Sequence, residues 1–115
     1  MAVIGIGEKF HVVMRRNYNS QIQRHFVGQV EAADGSIVRA TGYVFIYDEL
    51  KAQYIKKNAP RTTVIDLAES GYIVNIIPQT VAIDDLRYEV IDRTYLAFTD
   101  GAGFVLDINE YGVKR

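Results

Sequence analysis

Period-two alternation, rather than the three-to-four spacing of a helix, runs through most of this chain. Along a strand successive side chains point to opposite faces. Residues 9–16 place Phe10, Val12 and Met14 on one face with Lys9, His11 and Arg15 on the other, and Val13 breaks the polar side. Residues 22–32 repeat the pattern, with Phe26, Gly28, Val30 and Ala32 opposed to Gln23, His25, Gln29 and Glu31. Asp34-Gly35 then separates two strand patterns, a strong hairpin signal. The run that follows, 36–47, is apolar on both faces. Val38, Ala40, Gly42, Val44 and Ile46 share one side, and Ile37, Arg39, Thr41, Tyr43, Phe45 and Tyr47 share the other. Three aromatics on a nominally wet face imply a cover: a helix, a second sheet or another subunit. Gly42 in mid-strand predicts a bulge or sharp bend.

Residues 48–58 change period and predict a short helix. Asp48 is placed as N-cap, and Leu50, Tyr54 and Ile55 fall on one face. Lys56 and Lys57 suit the negative C-terminal end of the dipole, and Pro60 stops the helix. Strand patterns return at 61–67 and 71–77 across Glu69-Ser70-Gly71, and again at 86–91, 93–99 and 103–109, the last two joined by Asp100-Gly101. The fold class is therefore mainly β: a small bent barrel or sandwich of about eight short strands with one helical insert near 48–58. At 115 residues the chain reads as a single domain, 1–115. It has a barrel-like core over 9–77 and a C-terminal strand extension over 78–115.

Composition narrows the chemistry. There is no cysteine, which removes disulfides, thiolate metal sites and a cysteine nucleophile. The N-terminus has neither a basic n-region nor a long apolar run, and no segment is apolar for about 18 residues. The expectation is a soluble, cytoplasmic protein with no membrane partner. Net charge is −1, unevenly placed: residues 1–61 carry a net +4 and residues 62–115 a net −5. Such halves attract one another within a chain or between copies.

No catalytic motif is present, and no cofactor is implied. His11 and His25 point outward on neighbouring strand patterns and, with Glu31, are a candidate metal or proton-shuttle set; two solvated or interface histidines are the plainer reading. Arg15, Arg16, Arg24 and Arg39, with Tyr18, Tyr43 and Tyr47, are a candidate nucleic-acid platform, since guanidinium forks grip phosphate and tyrosine stacks on bases. The same Arg39, with Ile37, Tyr43, Phe45 and Tyr47, has the composition of an interface. Asp84, Asp85, Glu89 and Asp92 form an acidic group without calcium-loop spacing. Gly5-Ile6-Gly7 lacks the Lys-Ser/Thr of a phosphate loop, and Ser20, Ser36 and Ser70 lack a nucleophile elbow.

The offsets of Gly28, Val30 and Asp34 within Phe26–Ile37 resemble the first motif of the Sm-like small β-barrels, which share the SH3-like barrel form. A bent third strand, an insert over 48–60 and two short strands follow in the Sm order, with Gly71-Tyr72-Ile73-Val74 in the place of the second motif. The resemblance spans 9–77 and implies a bent barrel and ring-like assembly. The Asn and the Arg/Lys-Gly pair of the Sm RNA site are replaced by Val38 and Ser70-Gly71. The leading expectation is a non-enzymatic homo-oligomeric binding or assembly module. The alternatives are a single-stranded RNA-binding Sm-like protein, and a small-molecule binder or enzyme with a barrel-mouth pocket lined by Tyr43, Tyr47, Tyr54 and His25.

Overall fold

The computed structural model describes residues 4–14, 23–69, 72–91, 93 and 95–107. The strands are β1 (Lys9–Met14), β2 (Arg24–Asp34), β3 (Ile37–Asp48), β4 (Gln53–Lys56), β5 (Arg61–Asp66), β6 (Ile73–Ile77), β7 (Arg87–Ile91), β8 (Tyr95–Thr99) and β9 (Val105–Asp107). They form two antiparallel sheets, and the chain divides into two compact units, 1–79 and 80–115. The boundary drawn from the sequence between core and extension is at 77/78.

In the first unit the strands lie in the order β4-β3-β2-β1-β6, and β5 also pairs with β3. The long β3 changes partner along its length. From Ile37 to Gly42 it pairs with β5, and from Phe45 to Asp48 with β4. β5 and β6 follow one another in sequence, but β6 pairs with β1 and shares no ladder with β5 among the described residues. The sheet therefore stays open and does not close into a barrel.

The alternation read from the sequence sets the core. Phe10, Val12, Phe26, Val30, Val38, Ala40, Val44 and Ile65 pack together with Ile4. The Phe10 and Phe26 rings lie 6.0 Å apart. Each such large apolar side chain contributes about 1.5–3 kcal/mol on leaving water. At Asp34-Gly35 the chain reverses with Gly35 at φ 62°, a left-handed conformation that glycine adopts without strain.

Gly42 does not bulge. The register shift lies on β2, between Val30 and Ala32. Gly42 instead faces Gly28 directly across the β2–β3 pair. A Cβ on Gly42 would stand 1.9 Å from the Val27 carbonyl oxygen, and one on Gly28 would stand 2.6 Å from the Phe26 ring. The two glycines permit a close backbone approach where β3 changes partner.

The helix expected over 48–58 is replaced by a β-hairpin. Asp48 does cap, as its composition implied, accepting from the Leu50 and Lys51 amides at 3.0 and 3.4 Å. It closes a turn rather than opening a helix, because Ala52 takes φ 53° and residues 53–56 run back along β3. A short helix depends on burying its apolar stripe, and Leu50 is 98% exposed. In the hairpin Tyr54 pairs with Tyr47 and their rings meet at 5.1 Å.

The second unit is a three-stranded sheet, β7-β8-β9, preceded by a 3-10 turn at Ile83–Asp85. Its β8–β9 connection is held by Asp100, whose Oδ1 accepts from the Ala102 and Phe104 amides at 2.8 and 3.1 Å. Those bonds hold its carboxyl below the usual range, the Ala102 amide most of all. Thr99 is buried and donates to the Phe104 carbonyl at 2.6 Å. The Tyr88 and Phe98 rings lie 4.8 Å apart. No helix among the described residues is long and apolar enough to cross a membrane.

Candidate functional site: a buried histidine–tyrosine row

The histidines named from the sequence come together, but not on a wet face. In the β1–β2–β3 ladder Val13 lies opposite His25 and His25 opposite Phe45, with His11 opposite Val27 and Val27 opposite Tyr43. Side chains from directly opposed and diagonal positions meet. The His11 and His25 rings touch edge to face at 5.5 Å. Tyr54, delivered by β4, stacks on His25 at 4.7 Å, with its hydroxyl 3.4 Å from His25 Nε2. Tyr47 meets Tyr54 edge-on at 5.1 Å, and Lys56 Nζ sits 4.3 Å over the Tyr43 ring.

Both imidazoles are buried, as is Phe45, which is 1% exposed. Burial penalises the charged ring, so the His11 pKa falls to about 3, with the neighbouring His25 lowering it further. Burial likewise lowers His25 to about 4. At neutral pH both rings are uncharged. A general acid or base works best with a pKa near the working pH, so this pair is poorly suited to proton transfer there. Glu31, the carboxylate considered alongside them, instead accepts from the Thr41 hydroxyl, which is linked to Thr62 at 2.7 Å. Among the described residues no group of three His, Asp or Glu side chains could hold a metal ion.

The five residues with interface composition separate into two sets. Ile37 and Arg39 are exposed, Tyr43 and Tyr47 are half-buried, and Phe45 is covered within a single chain. A side chain so buried presents nothing to a partner, so the cover over Phe45 comes from within the chain. Arg24 and Arg39 are both exposed, but they are not neighbours. Arg24 lies opposite Ile46 and Arg39 opposite Ala32, a separation of roughly 23 Å along β3. Arg15, Arg16, Tyr18, Ser20, Ser70, Gly71 and Asp92 lie outside the described residues.

The remaining groups serve the fold. Arg87 pairs with Glu89 at 2.6 Å. The Ser36 hydroxyl donates to Asp66 at 2.7 Å. That bond and the Ala68 amide hold the Asp66 carboxyl below its usual range. The Gly5-Ile6-Gly7 turn offers its Gly7 carbonyl to the side chains of Gln29 and Gln79 at 3.0 and 2.9 Å. The sequence groups Tyr54 with His25, Tyr43 and Tyr47 but puts it on a helix; it arrives on β4 and stacks on His25. The signal is the alternation of Tyr54 and Lys56 around Ile55, one short turn after Asp48.

Fold and site together define a small, all-antiparallel β protein with a neutral, buried histidine pair. Comparison with protein-family models, curated proteins and solved structures finds no match to this chain.

Proposed function

We propose that this chain is a non-enzymatic β module that works by assembling with copies of itself through the open edges of its first sheet. One observation carries the reading: β5, which shares one edge with β4, and β6 at the other edge carry exposed apolar side chains. Val64 on β5 is 62% exposed, and Ile76 on β6 is 54% exposed. Unpaired edges of this composition recruit other strands, and neither strand contains a lysine or proline that would blunt it. The opposite charges of the two halves of the chain add attraction between copies. A long third strand that changes partner, an insert and two short strands also follow the Sm-like order, which supports reading the unit as a relative of those assembling barrels.

The neutral histidines and their dry surroundings favour a structural role over catalysis at this site. Light scattering on purified protein at micromolar concentration tests the reading. The expected result is a mass that is a multiple of one chain. A monodisperse monomer overturns it.

A further inference from the structure

The two edges of the first sheet differ in what they offer a partner. In an antiparallel strand the N–H and C=O of one residue point to the same side, and the side alternates along the strand. The Leu67 amide donates to the Ser36 carbonyl at 2.8 Å, so residues 61, 63 and 65 turn their backbone groups toward β3. Thr62, Val64 and Asp66 turn theirs outward, and all three side chains are exposed.

On the other edge, the Val30 amide donates to the Glu8 carbonyl at 2.9 Å, which directs the even residues of β1 toward β2 and the odd ones toward β6. The β1–β6 register then turns Ile73, Asn75 and Ile77 inward. Only Val74 and Ile76 are left outward. They are bounded by Tyr72, whose amide donates to Glu69, and by Pro78, which has no amide hydrogen.

We propose that β5 is a self-complementary edge, and that two copies of this chain join β5 to β5, antiparallel, about a two-fold axis at Val64. The proposal rests on the assembly reading above and names its partner strand. Val64 lies opposite the partner's Val64 and Thr62 opposite the partner's Asp66, so outward groups meet outward groups and make about four backbone hydrogen bonds, and about six where the Asp66 carbonyl, which accepts from the Glu69 amide at 3.2 Å, takes a second donor. Centring on Thr63 instead would set Val64 opposite the partner's Thr62 and Asp66 against the partner's Pro60, which has no N–H to give, so a cysteine at 64 distinguishes the two registers. Pairings that use β6, with two outward residues instead of three, make about four.

Charge selects the same orientation. Antiparallel pairing brings the Arg61 end of each strand beside the Asp66–Glu69 end of the other, whereas a parallel arrangement sets like beside like. Val64, opposite Arg39 and diagonal to Ile37 on β3, then meets the partner's Val64 across the axis. The contact is isologous: each copy uses the same patch, and the sheets merge into one.

The chain's lack of cysteine makes a direct test available. In a Val64→Cys variant, the two introduced thiols would lie about 5.5 Å apart at their Cα atoms, within disulfide reach. Mild oxidation, or a short bifunctional thiol reagent, is expected to convert most of this variant to a covalent dimer, while Ile76→Cys stays monomeric on a denaturing gel. Val64→Lys, with a β circular dichroism spectrum unchanged from the parent, is expected to lose the dimer by light scattering. If the parent is oligomeric but Val64→Cys does not cross-link, or if Val64→Cys links only to Ile76→Cys in a mixture, β5 self-pairing is wrong and the assembly reading stands. If the parent is a monomer and nothing cross-links, both fail.

Discussion

The outward face of β3 is one surface of one strand, yet its two halves have opposite fates. Ile37 and Arg39 are exposed, while Tyr43 and Tyr47 are half-buried and Phe45 is almost wholly shielded. Alternation is the same throughout, so the difference comes from the neighbours. The first half pairs with β5, whose residues on that side are Thr62, Val64 and Asp66; the second pairs with β4, which brings Tyr54 and Lys56 over the face. Burial in a strand is thus assigned by the strand beside it as much as by its own side chains.

The sharpest way to break this contrast is to truncate the buried half. Phe45→Ala is expected to cost about 3–5 kcal/mol of unfolding free energy, the usual loss for a buried phenyl ring. Urea denaturation measures it, and a loss below about 1 kcal/mol would mean the aromatic half is not buried in solution. Next comes the hinge between the halves. Gly42→Ala forces a methyl group into the Val27 carbonyl and is expected to cost about 1–3 kcal/mol. A neutral Gly42→Ala in thermal unfolding would show that β2 and β3 do not approach there as described.

Between pH 7 and 5 acid should act through the two buried histidines that pack on the aromatic half. Unfolded histidine takes up a proton near pH 6.5, whereas folded His11 and His25 do so only at about 3 and 4. Between those values the unfolded chain binds more protons, so stability is whole above about pH 6.5 and falls as pH drops, by about 1 kcal/mol per histidine per pH unit. These are the chain's two histidines. Urea midpoints at pH 7, 6 and 5 should therefore decline together, ahead of carboxylate titration, and an unchanged midpoint would contradict the burial. The smallest effect belongs to the exposed half. Ile37→Ala is expected to change monomer stability by no more than about 0.5 kcal/mol, checked by the same denaturation.

Much of the fold is legible in the chain. The eight strand runs drawn from alternation each overlap an observed strand, and Asp34-Gly35 and Asp100-Gly101 both turn the chain as hairpins. The core residues Phe10, Val12, Phe26, Val30, Val38 and Val44 lie on the faces their spacing assigned. The site was less legible. His11 and His25 could be marked as neighbours, but Tyr54 was misplaced because the 48–58 pattern satisfies a helix locally. Arg24 and Arg39 looked like one platform because sequence distance does not reveal which ends of a hairpin meet.

The sequence alone determined the β class, the turns and the apolar face of most strands, because side-chain alternation and glycine-tolerant turns are local properties. Only the tertiary structure decided that β3 divides its length between two partners and that the histidines lie in a dry row. It also decided that β5 and β6 end the first sheet among the described residues. Those outcomes depend on which distant segments pair, and the free energy of pairing comes from surfaces that no single stretch of chain contains.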